Sequence, residues 1–283
     1  MSDDLRWRLL FAKKLEHEVV EAFRIFRDAG IEPVLIKGWA AARHYPRDVP
    51  RFYDDVDLVV SDEDFDAAKQ VMKTDAGKEI GIDLHRELRH LDTKLWHEIR
   101  ADSQQFDLDG DKIRVPSDED HLRILAVHWL NDGGIPKDRL WDIVYAVRNR
   151  RVDFNWDKCL KPVSDLRQQW IITAIALAHK YMGLEVEDLP FAARTKDLPQ
   201  WLTATLEREW ESGVRLISLH TCLNNPKNLF TQIKKRIPPN ALQATIEMEG
   251  SIDNSSRIPY QISSILNRIG PSIRGIRGTL KRN

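Results

Sequence analysis

Two aspartates separated by one residue, Asp55 and Asp57, stand at the start of an apolar run that continues to Val60. Side chains alternate between the two faces of a β-strand, so the two carboxylates share one face while Val56 and Leu58 share the other. Two negative charges this close need a positive partner, and divalent metal ions bound to nucleotide phosphates are the natural one. The pair therefore predicts a two-metal site for chemistry at phosphorus.

The composition sets limits on the class of protein. The chain has 283 residues, of which 42% are hydrophobic and 31% are charged, with a net charge of -1. These values predict a soluble globular protein of one or two domains and give no global case for nucleic-acid binding. The N-terminus has no apolar signal segment and no stretch is long enough to span a membrane, so we expect a cytoplasmic protein. Cys159 and Cys222 have no metal-ligand spacing, which argues against a disulfide framework and a structural zinc site.

The first part of the chain alternates helix and strand patterns. Apolar residues at helical spacing predict an opening helix over 9–29 that ends at Gly30. A third predicted strand carries Asp83 and His85 on one face. The other predicted elements are strands over 32–37, 55–60 and 79–85, helices over 38–44 and 62–73 with Ser61 as N-cap of the latter, and a hairpin over 106–115.

After Pro116 the pattern is helical almost to the end. Ser117 with Asp120 resembles a capping box at the start of a helix. Further helices are predicted over 139–148, 166–182, 201–211 and 213–223. The residues after Asp253 include six cations and no acid, which predicts a partly disordered tail.

Several residues around the aspartate pair resemble the signature of a known family. The chain resembles the poorly characterised nucleotidyltransferases of the DNA polymerase β-like superfamily over about residues 15–147, roughly half its length. The residues that carry the resemblance are Lys37-Gly38, Tyr45-Pro46, Arg51 four positions before the first aspartate, Asp55-Val56-Asp57-Leu58-Val59-Val60, Asp83-Leu84-His85, His128 and Asp142.

The resemblance implies an α+β fold, in which a small mixed β-sheet core with flanking helices precedes a mainly helical C-terminal region. The corresponding domains are a nucleotidyltransferase core over 1–116, a helical domain over 117–253 that binds the acceptor, and the basic tail over 254–283. It also implies two Mg²⁺ ions, with Mn²⁺ as the alternative, held by Asp55, Asp57 and Asp83. Asp83 would in addition help to deprotonate the attacking hydroxyl. The implied nucleotide-binding residues are Lys37, Gly38, Arg51 and His85.

Each assignment has a simpler alternative. The third carboxylate could instead be Asp54, Glu87 or Asp107, and His85 could be a hydrogen-bonded structural residue. Lys37 and Arg51 could be surface charges that offset the carboxylates. Asp142 lies among apolar residues and is more readily interpreted as a buried helix residue that bonds back toward the core, and the helical histidines His121 and His128 as packing residues. Asp107, Asp109 and Asp111 lack the glycine and glutamate positions of a calcium loop, which favours a hairpin turn.

The function that these observations predict is metal-dependent transfer of a nucleoside monophosphate from an NTP, which we expect to be ATP, to an acceptor hydroxyl, with release of pyrophosphate. The acceptor could be a small molecule, a peptide or protein side chain, or an RNA 3′ end. Kinase-like phosphoryl transfer and a non-catalytic nucleotide- or RNA-binding protein are the alternatives. The tail's cations could contact nucleic acid or an anionic membrane, but Tyr260 is its sole aromatic residue, so a solvated tail is the simpler interpretation.

Overall fold

The strands of the described residues form two small sheets. The computed structural model describes residues 3–46, 48–88, 91–214, 222 and 225–268. In the three-stranded sheet, β1 runs antiparallel to β2, and β2 runs parallel to β3. The other sheet is a hairpin of β4 and β5. The strands are β1 (Val34–Leu35), β2 (Val56–Val60), β3 (Ile82–Arg86), β4 (Gln104–Leu108) and β5 (Asp111–Val115).

The other elements are mainly helices, which dominate the second half of the chain, so the predicted α+β class with a mixed sheet is confirmed. The first five helices are α1 (Asp3–Asp28), α2 (Trp39–Ala42), α3 (Phe65–Val71), α4 (Asp75–Glu79) and α5 (Trp96–Asp102). The later ones are α6 (Asp118–Asn131), α7 (Leu140–Arg148), α8 (Trp156–Leu160), α9 (Asp165–Met182), α10 (Gln200–Ser212), α11 (Pro226–Arg236), α12 (Ala241–Glu247) and a helix over 258–268.

The core explains why the sheet presents its aspartates on one side. Phe23 and Phe26 of α1 are fully buried in one cluster with Val56 and Leu58 of β2. Because side chains alternate along β2, burying these two residues turns Asp57 to the opposite face. The apolar face of the strand and the long helix together fix the orientation of the carboxylate.

Local sequence signals account for the hairpin. Asp109 and Gly110 connect β4 to β5 and have positive φ angles of 51° and 90°. Two central residues with positive φ are typical of the type I′ turn, whose twist matches that of the flanking strands. The predicted hairpin is confirmed, with β4 beginning two residues earlier than expected.

Three boundaries differ from the predictions. The N-cap of α3 is Asp64, whose backbone N–H donates to the Ser61 hydroxyl at 3.1 Å, so Ser61 as N-cap was wrong. The strand predicted from residue 79 begins at Ile82, because the short helix α4 extends to Glu79. Thr74 caps this helix by accepting a hydrogen bond from the Gly77 N–H. Gly213 ends α10 with a φ of 58°, and most of the helix predicted over 213–223 lies outside the described residues.

The chain divides into two compact units. One contains Met1–Val127 and Trp141–Gln168, and the other contains His128–Leu140 and Gln169–Asn283. The domain boundaries expected after residues 116 and 253 stay predictions. In the second unit the described part of the predicted tail includes the helix over 258–268, while 269–283 lies outside the described residues.

Among the helices of the described residues, none is both long and apolar enough to cross a membrane.

Candidate active site

Parallel pairing of β2 and β3 sets the two central carboxylates side by side. Asp57 is the second residue of β2, and the register pairs it with Asp83 of β3. Paired residues on neighbouring strands point to the same face of a sheet. The two acids, separated by 25 residues in the chain, therefore face the same space.

A possible ligand set for a metal ion lies on this face. Ligand atoms of Asp57, Asp83 and His85 all lie within 4.8 Å of one another. The His85 Nε2 atom is 3.4 Å from Oδ1 of Asp57 and 3.2 Å from Oδ2 of Asp83. Carboxylate oxygens suit Mg²⁺ or Mn²⁺, and an imidazole nitrogen suits a transition metal. The donor set therefore fits a divalent cation. Among the described residues this group includes Asp83, and the alternatives Asp54, Glu87 and Asp107 are not part of it.

Asp55 lies just before β2 and is coupled to the same charges. Burial raises the pKa of Asp55, and the charge of Asp57 raises this pKa further, against the opposing charge of Lys37. Asp55 does not belong to the compact group of three ligands within the described chain. The structure places Asp55 next to that group, where its charge is coupled to that of Asp57.

Lys37 supplies the positive charge that the buried carboxylate requires. Its ammonium group forms an ion pair with Oδ1 of Asp57, whose side chain is 2% exposed. Burial raises the pKa of Asp57, but the hydrogen bond from His85 and the charge of Lys37 outweigh burial, so the pKa lies below its ordinary value. Asp57 is therefore ionised at neutral pH, and one of its oxygens is already paired with the Lys37 ammonium.

Gly38 makes the turn from β1 into α2. Its φ of 57° and ψ of -120° lie in a region that side chains disfavour. A Cβ atom at this position would lie 3.1 Å from Cδ2 of Tyr53 and 3.4 Å from the carbonyl oxygen of Asp55. Glycine is required here for both reasons, and it lets the turn pack directly against the strand entry that carries Asp55.

Arg51 lies in a buried ion pair outside the carboxylate group. Its Nε and Nη2 atoms donate to the two oxygens of Asp142 at 2.6 and 2.8 Å, and Nη1 donates to the Gly38 carbonyl at 3.2 Å. Tyr45 also donates to Asp142, at 2.6 Å. The interpretation of Asp142 as a buried residue that bonds toward the core is confirmed, whereas its partner was not predicted. An acid within an apolar helix signals that a cation must lie nearby, but it does not identify that cation.

The comparison with protein families decides the class of this chain. Residues 5–183 match the model of a family described as uncharacterised nucleotidyltransferase, which is more than half of the chain. The chain belongs to this nucleotidyltransferase family. The matched span includes every residue of the site, and membership identifies the protein as a transferase of the nucleotidyl class. No curated protein and no solved structure matches the chain.

In this member of the nucleotidyltransferase family, two stacked histidines contact the backbone that leads into the Gly38 turn. His121 of α6 lies with Nε2 3.0 Å from the Ile36 carbonyl, and its Nδ1 is 3.3 Å from Nε2 of His44. Burial lowers the pKa of His44 to about 4, and the charge of Arg43 adds to the effect. Burial likewise lowers the pKa of His121. Both rings are neutral at pH 7, and the prediction of a packing role for His121 is confirmed.

Proposed function

We propose that this chain is a metal-dependent nucleotidyltransferase that moves a nucleoside monophosphate from an NTP, with ATP as the expected donor, to an acceptor hydroxyl and releases pyrophosphate. One observation supports this function above the others. Asp57, Asp83 and His85 present their ligand atoms within 4.8 Å of one another, inside the span that matches the nucleotidyltransferase family. Such a group suits phosphoryl chemistry assisted by divalent cations.

In our proposal Asp55, Asp57 and Asp83 would hold two Mg²⁺ ions. Mn²⁺ is the alternative metal. When bound, these ions stabilise charge on the entering and leaving oxygens of an in-line displacement. The low pKa of Asp57 supports this assignment, because its carboxylate is charged at neutral pH without prior loss of a proton.

Asp83 is the proposed acceptor of the hydroxyl proton. Its side chain is 54% exposed, in contrast to 2% for Asp57, so an acceptor molecule can reach it. In the step that we propose, the acceptor oxygen bonds to the α-phosphorus and its proton passes to Asp83. The bond from the α-phosphorus to the bridging oxygen breaks, and its electron pair leaves on pyrophosphate. For His85, expected among the nucleotide-binding residues, we propose a place beside the bound ions and the phosphates, because its Nε2 lies 3.4 Å from an oxygen of Asp57 and 3.2 Å from one of Asp83.

Lys37 and Gly38 are the proposed contacts for the triphosphate. The Lys37 ammonium, 17% exposed, already neutralises Asp57 and would turn to the phosphate oxygens as cations bind the carboxylates. For Arg51 we propose an indirect role in nucleotide binding, because Asp142 occupies its Nε and Nη2 donors. Arg51 holds the Gly38 carbonyl and thereby the turn that meets the phosphates.

Two separately labelled donors test this function. The purified full chain is incubated with Mg²⁺, extract of its source cells and each NTP labelled at the α or the γ phosphate. We expect α label on an acceptor with the unchanged chain, at least a hundredfold less with Asp57→Asn, and no loss with Asp66→Asn. Asp66 is a matched control because its carboxylate is 84% exposed on α3.

The same assay separates the acceptors and the alternative reactions. The size and nuclease or protease sensitivity of the labelled product distinguish a small molecule, a protein side chain and an RNA 3′ end. Transfer of γ label alone would replace this proposal with kinase-like transfer. Equal transfer by wild type and Asp57→Asn would remove the carboxylate group from the mechanism.

A further inference from the structure

Helix α7 has two different sides. Ile143, Val144 and Val147 are at most 1% exposed and belong to the core. Trp141 and Tyr145 are separated by one helical turn on another side and are only partly buried. These two rings are therefore not among the fully buried side chains of the core.

The two rings continue into a row of three. The rings of Trp141 and Tyr145 stack with centroids 5.4 Å apart and planes 25° apart. Tyr45, at the end of the segment that follows α2, adds a third ring 4.4 Å from that of Tyr145. The Tyr45 hydroxyl is held by Asp142, which fixes one end of the row.

The row is connected to the phosphate-binding turn by two buried contacts. Asp142, the neighbour of Trp141 in the chain, binds Arg51 through both carboxylate oxygens. Arg51 in turn donates to the Gly38 carbonyl. The aromatic row and the turn that we propose to meet the phosphates are thus joined through the buried Arg51–Asp142 pair.

Trp141 retains groups that a ligand can use. Within the described residues, its Nε1 donates to no protein acceptor and its ring contacts no second ring or cation beyond Tyr145. Four other tryptophans, by contrast, use this donor on backbone carbonyls: Trp129, Trp170, Trp201 and Trp210. A partly exposed indole with one supported face and an unused N–H suits a flat, polar-edged ring.

We propose that Trp141, supported by Tyr145 and Tyr45, stacks against the nucleobase of the NTP and favours purines. Aromatic side chains stack on every base, and the two-ring purines offer the larger contact area. This inference rests on the proposed function and deepens it, because it assigns the base-binding surface of the same site.

Calorimetric titration of the full chain with Mg²⁺ tests the assignment. The ligands are ATP and CTP with a methylene group between the α and β phosphorus atoms, which blocks transfer, and inorganic triphosphate, which has no base. Trp141→Leu keeps an apolar side chain without the flat ring, and Trp141→Phe keeps a smaller ring. Trp7→Leu is the matched control, since Trp7 is 73% exposed on α1.

Wild type should bind the ATP analogue more tightly than the CTP analogue. Trp141→Leu should lower the affinity for the ATP analogue by about tenfold or more and reduce the preference for it over the CTP analogue. The affinity for inorganic triphosphate should not change. Trp141→Phe should have an affinity for the ATP analogue between those of wild type and Trp141→Leu. If Trp141→Leu does not fold, Trp141→Phe alone tests the inference. Unchanged affinity for the ATP analogue in both Trp141 variants, with triphosphate still bound, would overturn this inference alone. Binding of neither nucleotide nor triphosphate to wild type would overturn the proposed function and this inference with it.

Discussion

Arg51 and Asp142 are nearly removed from water, with side chains each 6% exposed. A charge pair in such a place is stable only while both partners are present, because either partner alone is a buried uncompensated charge. The bidentate geometry also matters, since lysine cannot match the two parallel donors of a guanidinium. The pair is therefore sensitive to changes that conserve charge.

We expect Arg51→Lys and Asp142→Ala each to lower the free energy of unfolding by about 3–5 kcal/mol. For the coupling, Arg51→Met replaces Arg51→Lys: the Arg51→Met/Asp142→Ala double variant should lose much less stability than the sum of the two single losses, because the second change removes a group that is already unpaired. Urea unfolding of the four proteins in this cycle measures the coupling. Arg24→Lys on the solvent-exposed pair with Asp111 should change stability little. Additive losses at Arg51 and Asp142 would contradict the energetic coupling of this buried ion pair and would favour a direct contact between Arg51 and the phosphates.

At the scale of elements, the turn between β1 and α2 depends on one glycine. Gly38 has a positive φ and lies against Tyr53 and the Asp55 carbonyl. Gly30 after α1 also has a positive φ, of 77°, but a Cβ there would meet nothing within 4 Å. Alanine at Gly30 therefore adds only backbone strain, whereas alanine at Gly38 adds both backbone strain and steric crowding.

We expect Gly30→Ala to lower the free energy of unfolding by about 1 kcal/mol and to leave nucleotidyl transfer unchanged. Gly38→Ala should destabilise more and should also reduce transfer at least tenfold, because the crowded turn displaces the strand entry at Asp55. Urea unfolding and the labelled-donor assay give the two readouts. Full activity in Gly38→Ala would exclude a close approach of the turn to the nucleotide.

Parallel pairing of β2 and β3 is the other decisive element. It sets Asp57 beside Asp83, and a shift by one residue would turn Asp83 to the opposite face. The alternating patterns of the two strands were readable, since Val56 and Leu58 or Ile82 and Leu84 each define an apolar face. Which strands would be neighbours, and in which direction, was not.

At the scale of the whole molecule, the buried histidine pair makes stability depend on pH. The pKa of His44 falls to about 4 on folding and that of His121 also falls, in both cases mainly through burial. Below about pH 6.5 the unfolded chain therefore takes up protons that the folded chain does not. The free energy of unfolding should decrease as pH falls from about 6.5 toward 4.

Urea unfolding between pH 7.5 and 4.5 measures this decrease. His44→Gln should make this decrease shallower, because glutamine takes up no proton and can still bond to His121, while the contribution of His121 remains. His17→Gln, at an exposed position on α1, should retain the slope of wild type. The same slope in His44→Gln and wild type would assign the acid sensitivity to other groups.

The end of the chain gives a second prediction at this scale. In the helix over 258–268, Gln261 donates to the Pro239 carbonyl at 2.7 Å and Ser264 donates to Glu247 at 2.6 Å. Removing residues 254–283 should therefore lower the melting temperature more than removing 269–283, which keeps both contacts. The shorter deletion still removes four cations, at positions 274, 277, 281 and 282, and is the cleaner test of the tail. Unchanged RNA affinity and salt dependence after it would exclude a nucleic-acid role for those cations.

The sequence by itself determined the features that depend on neighbouring residues. Alternation around Asp55 and Asp57, the Asp109-Gly110 hairpin turn and the helical spacing after Pro116 all arise from local backbone geometry. The strand, the hairpin and the helices predicted over 139–148, 166–182 and 201–211 formed close to their expected positions. The family signature is equally local, because most of its residues lie between Lys37 and Val60.

Only the tertiary structure decided which distant groups meet. Arg51 finds Asp142 from 91 residues away, and His44 finds His121 from 77 residues away. Arg51 was expected among the nucleotide ligands because its charge is visible in the sequence. The sequence does not show that Asp142 is its buried partner. A buried charge or ring requires a partner in space, and chain folding, not sequence spacing, selects that partner.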